Sequence, residues 1–241
     1  MILKATGISK SFGGLVAVKN VDFHINTGEI LGLIGPNGAG KTTIFNVLTG
    51  IYHPEEGNID FNEEDITKKK PFEICHKGIA RTFQVTRAFL SMNCLENVLV
   101  GIIGNNPDLS SAEKELEAVK YLEFVGLKNS VYTLAKNLTL VGKKRLELAR
   151  ALSTNPKLLL LDEVLSGLNT AEMREACDLI NIILDKFGIT IFWVEHVMSA
   201  IMEVSGRIIV LDHGEKIAEG TPKEIANNPK VIEAYLGEPH A

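Results

Sequence analysis

At 241 residues, with 45% hydrophobic and 23% charged side chains, the chain can build one α/β domain with a sizeable core. Its net charge of −5 disfavours a nucleic-acid partner, which calls for a basic face, but not a nucleotide, whose phosphates a single loop can hold. Cys75, Cys94 and Cys177 lie without metal-ligand or CxxC spacing, the opening has no signal-peptide core, and no apolar run approaches the ~20 residues of a spanning helix. A reducing compartment and a peripheral role at any membrane are therefore expected.

The first 34 residues read as strands. Alternation over 15–25 (LVAVKNVDFHI) predicts an antiparallel strand, and Thr27 and Gly28 turn the chain into the apolar run 30–34. A glycine-rich loop follows, then a helix over 41–48 and a short strand over 57–61. Between Asn93 and Thr154 the pattern becomes helical, with Leu116, Val119, Leu122 and Val125 proposed as one apolar face. This predicts a helical subdomain at about residues 85–155, inserted in a domain that spans 1–241. The α/β pattern resumes with a strand over 158–161, a helix over 171–186, a strand over 189–194 and a hairpin over 207–220 that turns at Asp212, His213, Gly214 and Glu215.

Three apolar strands each end in polar chemistry. Residues 30–34 precede the glycine loop, 158–161 precede Asp162 and Glu163, and 189–194 precede Glu195 and His196. If they lie parallel in one sheet, these groups meet at its carboxyl edge, where open α/β sheets bind ligands.

Gly35, Pro36, Asn37, Gly38, Ala39, Gly40, Lys41, Thr42 and Thr43 complete the pattern G-x-x-x-x-G-K-[ST]. The loop lets successive N–H groups curl around phosphates, and the following helix aims its positive end at the same spot. Lys41 is expected to reach the β- and γ-phosphates of a nucleotide, and Thr42 to ligate Mg²⁺. Asp162, delivered by a buried strand, is expected to hold the same metal, and Glu163 to polarise the attacking water. His196 ends its own buried strand where a γ-phosphate sensor would stand. His24, His53, His76, His213 and His240 lack such a context and read as structural.

A phosphate loop alone also suits a GTPase or a small-molecule kinase, but no N-K-x-D guanine motif occurs. The ordered set from Phe12 to His196 resembles the ABC ATPase family, and the resemblance covers essentially the whole chain. It implies an ABC-type α/β core with an antiparallel edge sheet and a helical subdomain. Phe12 stands where that family stacks an aromatic on adenine, with Ala17 nearby. Gln84, in Arg81–Thr82–Phe83–Gln84, matches the glutamine that joins the metal site to the membrane-subunit interface. Ser166–Gly167–Leu168–Asn169 matches the loop that crosses the dimer interface.

RTFQ, LENVLVG, KRLELARAL and the ending VIEAYLGE further resemble the ATP subunits of branched-chain amino-acid importers. The resemblance implies two cassettes closed head to tail around ATP, attached to integral-membrane permease subunits at the cytoplasmic face of the membrane. Lipid and lipopolysaccharide transport ATPases share the ending. A soluble ABC protein of DNA maintenance or translation, or a mainly regulatory subunit, are the other readings.

Two segments depart from the family pattern. The signature L-S-G-G-Q aligns with Leu138–Thr139–Leu140–Val141–Gly142, so that Thr139 keeps a hydroxyl for the partner's ATP while Leu140 and Val141 replace glycines. Bulk at both positions predicts crowding of the partner's phosphate. Val164 replaces the proline after Asp-Glu, which bears on loop stiffness more than on chemistry.

Overall fold

A computed structural model describes residues 1–105 and 108–236; His240, and the Gly237 and Glu238 of the final motif, lie outside the described residues. The chain opens on β1 (Leu3–Phe12), β2 (Leu15–Ile25) and β3 (Ile30–Ile34). Helix α1 (Lys41–Leu48) follows the glycine loop, and β4 (Glu56–Phe61) and β5 (Glu64–Asp65) complete a four-stranded antiparallel sheet in the order β2-β1-β4-β5. Helix α2 (Pro71–Lys77), opened by a proline in its first turn and closed by the left-handed Gly78, leads into the short strand β6 (Ile79–Arg81).

Helices α3 (Cys94–Asn105), α4 (Ser111–Phe124) and α5 (Leu140–Leu152) come next. They pack on one another around Cys94, Val98, Ile102, Ala118, Leu122 and Leu146, a cluster separate from the two cores beside the sheets. Leu122 and Val125 are buried and Val119 packs against the same cluster as expected, but Leu116 is exposed and Ala118 joins the buried stripe. Residues three apart step back by about 60° per interval at 3.6 residues per turn, so over four of them the first, Leu116, falls outside the stripe that the other three reach.

The remaining elements are β7 (Leu158–Asp162), α6 (Thr170–Phe187), β8 (Thr190–Val194), α7 (Met198–Val204), β9 (Arg207–Asp212), β10 (Glu215–Gly220), α8 (Pro222–Ala226) and α9 (Pro229–Leu236). The second sheet has the order β10-β9-β3-β8-β7-β6, with β3, β6, β7, β8 and β9 parallel and β10 closing an antiparallel hairpin. Every residue of β3, β7 and β8 is buried because both faces of the sheet are covered. Alternation still sorts them: Leu158 and Leu160 face the core shared with α1, whereas Leu159 and Leu161 face the core on the opposite side, with Ile180 and Ile183 of α6. The three apolar strands thus lie parallel, and β3 sits between β8 and β9, so its loop leaves at the middle of the carboxyl edge.

A nucleotide cleft at the carboxyl edge

The loop after β3 is shaped by close backbone approaches. Gly35 has φ of 152°, and a Cβ there would stand 2.1 Å from the Leu211 carbonyl of β9. Gly40 has φ of 102°, with the Ala17 carbonyl 2.5 Å from the place of its Cβ. Neither position admits a side chain, which is the physical content of the glycine pattern. Gly40 also precedes α1 without a side-chain cap, so the amides of the first turn have no capping side chain. Such a helix start favours an anion.

Lys41 is buried and donates to the carbonyls of Gly35 (2.7 Å) and Pro36 (2.9 Å). Burial lowers its pKa from the ordinary value, opposed by the charges of Glu163 and Asp162. Phe12, Ala17, Asn37 to Thr43, Glu163 and His196 line one cleft of about 330 Å³. Phe12 is 41% exposed at the end of β1, edge-on to Tyr52 with ring centroids 5.0 Å apart. It is therefore an aromatic offered to the cleft rather than a core residue.

Glu163 leaves β7 with φ of 49°, a left-handed conformation that costs a non-glycine residue roughly 1–3 kcal/mol and persists only where its surroundings fix it. Its carboxylate receives Gln84 Nε2 at one oxygen (2.6 Å), and His196 Nε2 lies 2.9 Å from the other. Two side chains far from it in sequence thus converge on one carboxyl group. Gln84 spends its amide nitrogen on Glu163, which leaves its carbonyl oxygen available.

Asp162 is 3% exposed, and its Oδ2 accepts from Arg81 at 2.6 Å. The same guanidinium donates to Asn46 Oδ1 at 2.7 Å and lies over the rings of Phe45 and Phe83. Sequence reasoning missed Arg81 as a site residue, since it entered only as a letter of the RTFQ motif. Thr42, Asp162 and Gln84 offer hydroxyl, carboxylate and amide oxygens, a hard donor set that suits Mg²⁺. The described residues hold no cluster of three or more His, Cys, Asp or Glu able to cage a metal.

Thr139 lies outside this cleft. It is exposed and caps α5, its hydroxyl accepting from Gly142 N at 3.1 Å. Val141 lines an apolar cavity of about 60 Å³ with Val164, Leu168 and Leu179, so both departures from the family pattern pack against the same space. Leu140 is 47% exposed and reaches over Gly167, whose Cβ would lie 2.9 Å from Leu140 Cδ2. Of the two bulky residues, Leu140 is therefore the exposed one and Val141 the one that lines a cavity. Asn169, the last residue of the loop 166–169, caps α6 by accepting from Ala171 N and Glu172 N.

The family model described as ABC transporter matches residues 18–166, more than half of the chain. This chain belongs to the ABC transporter family. A second model, the branched-chain amino acid ATP-binding cassette transporter, matches residues 215–241 of the cassette. Among curated proteins, the cassette is 41% identical to the high-affinity branched-chain amino acid transport ATP-binding protein LivG of Salmonella typhimurium, over 98% of each chain. It is 38% identical to BraF of Pseudomonas aeruginosa, again over 98% of each. Among solved structures, the ADP conformation of MJ1267, an ATP-binding cassette of an ABC transporter, superposes with a TM-score of 0.87 at 34% identity, covering 98% of this chain and 99% of that one. The dimeric cassette MJ0796 gives 0.84 at 25% identity, covering 92% and 99%. The cassette binds nucleotide and is an ATPase. No helix among the described residues is long and apolar enough to cross a membrane.

Proposed function

We propose that this cassette hydrolyses ATP to energise a membrane transporter that imports branched-chain amino acids. The observation that carries the catalytic part is the carboxylate of Glu163, held by Gln84 and His196 in the cleft that the phosphate loop lines. The substrate class rests on the similarity to LivG and BraF and on the match of residues 215–241.

In this reading Phe12 stacks on the adenine beside Ala17, and the amides of Gly38 to Thr43 hold the phosphates. Lys41 exchanges its carbonyl partners for the β- and γ-oxygens and balances the charge that develops on them. Mg²⁺ would be held by Thr42, Asp162 through the carboxylate oxygen that Arg81 does not take, and Gln84, and would neutralise phosphate charge. Glu163 accepts the proton of the attacking water, and His196 and Gln84 hold that carboxylate in its direction. The chain acts as one cassette, 1–241, with residues about 85–155 as its helical subdomain. It pairs with a second ATP-binding subunit whose nucleotide meets Thr139, and it works with integral-membrane permease subunits at the cytoplasmic face. Gln84 stands at the junction of these parts.

Proteoliposomes that contain this cassette, its permeases, a second cassette and the cognate binding protein provide the test. The reading predicts leucine, isoleucine or valine uptake that depends on ATP and is lost with Lys41→Ala. ATP hydrolysis stimulated by a lipid, with no amino-acid uptake, would overturn the substrate class.

A further inference from the structure

Glu163 and the residues after it form a turn that its own sequence does not favour. A left-handed glutamate followed by a β-branched valine has to be held from outside. Lys144 supplies one hold. From α5 its ammonium donates to two consecutive carbonyls, Glu163 O at 3.2 Å and Val164 O at 3.0 Å. The buried carboxylate of Glu195 supplies the other, since it accepts from Leu165 N at 2.7 Å and His196 N at 3.2 Å. One cation and one anion thus clasp the turn from opposite polarity, the cation on its carbonyls and the anion on the next amide. Glu195 is also the largest opposite charge acting on Lys144. Apolar side chains also bring the two elements together, since Val141, Val164 and Leu168 line one cavity and Leu140 lies over Gly167.

We propose that Lys144 is a positioning residue that ties the helix capped by Thr139 to the turn presenting Glu163. Thr139 and Lys144 are five residues apart on one rigid helix, about 7.5 Å along its axis. A shift of that helix against the partner's nucleotide therefore acts on the backbone under this chain's own carboxylate. The two ATP sites of a dimer are coupled inside one subunit through an ammonium and two carbonyls. The inference rests on the reading of Glu163 as the carboxylate that polarises water.

The test compares Lys144→Met, Lys144→Gln and Lys144→Arg in the full chain, with steady-state hydrolysis in the reconstituted transporter and amide hydrogen exchange on the cassette. Lys144→Met should lower kcat at least tenfold, since small misplacements of a reacting group are costly, with KM for ATP within twofold. Amide exchange of Leu165 and Ser166 should quicken in the same variant. Lys144→Gln, which keeps one donor and suits the site if Met is poorly tolerated, should fall between, and Lys144→Arg should restore most of kcat. Unchanged exchange at Leu165 and Ser166 overturns the inference. So does faster exchange with unchanged kcat, or a fall in kcat matched by a rise in KM. Glu163→Gln, assayed alongside, separates the two ideas. If it abolishes hydrolysis while Lys144→Met does not lower kcat, the role of Glu163 stands and that of Lys144 falls.

Discussion

Removing the Arg81 guanidinium should be among the most damaging single changes outside the phosphate loop. Arg81 and Asp162 each expose 5% of their side chains, so solvent does little to screen the pair. Arg81→Met would leave the Asp162 carboxylate buried without its cation and Asn46 without its donor. Losing one partner of such a pair costs about 3–5 kcal/mol, mostly because the remaining charge is uncompensated. For a chain of this size that corresponds to a fall in Tm of roughly 6–20 °C. Urea denaturation of the isolated cassette measures it, with Asp162→Asn and the double variant completing a cycle. The double variant buries neutral groups only, so its cost should fall below the sum of the singles by at least about 1 kcal/mol, beyond the ~0.5 kcal/mol scatter of independent sites. An additive cycle, or a loss under about 1 kcal/mol for Arg81→Met, would show that the bridge behaves like an exposed pair and refute the reasoning.

Lys41→Ala should largely abolish ATP binding measured by calorimetry, and unchanged affinity would remove the phosphate-loop assignment. Leu140→Gly should speed the nucleotide site that faces Thr139 while changing stability by no more than about 1 kcal/mol, because the side chain is half exposed. Slower turnover there would show that Leu140 supports the loop 166–169 rather than crowding phosphate. Burial, with Glu203, Glu195 and Asp178 nearby, pushes the Cys177 thiol up from 9.0 to about 11. The native chain therefore keeps a proton that the unfolded chain has lost between about pH 9 and 11, and stability falls as pH rises through that window. Cys177→Ala should flatten the decline, and alkylation of Cys177 with a midpoint near pH 9 would contradict the shift.

The parallel strands and the phosphate loop were legible because each carries a local signal. Continuous apolar runs such as Leu158 to Leu161 mark strands covered on both faces, and the turn chemistry of His213 and Gly214 marks the hairpin. Convergence at the carboxyl edge followed from strand direction alone, which places Asp162, Glu163 and His196 near Lys41. The edge strand Ile79–Arg81 carried no such signal, being three residues long. On α4 only Leu116 was misplaced, because apolar residues at strict intervals of three drift around the helix and four of them exceed one face. Arg81 on Asp162 and Lys144 on the Glu163 turn are contacts between separate elements, 81 and 19 residues apart, and no periodicity encodes them. Leu140 and Val141 look equivalent in sequence, yet one covers Gly167 and the other lines a cavity.

Whether Glu163 polarises the water that attacks ATP is tested most directly by Glu163→Gln in the reconstituted transporter. The variant keeps the shape of the side chain and loses the carboxylate that accepts a proton, which is worth on the order of 10²–10⁴ in rate. ATP affinity should stay within a few-fold of the parent, kcat should fall by that factor, and ATP should hold the paired cassettes closed. Turnover near that of the parent, with no ATP-stabilised dimer, would contradict the account and move the catalytic role to another residue of the cleft.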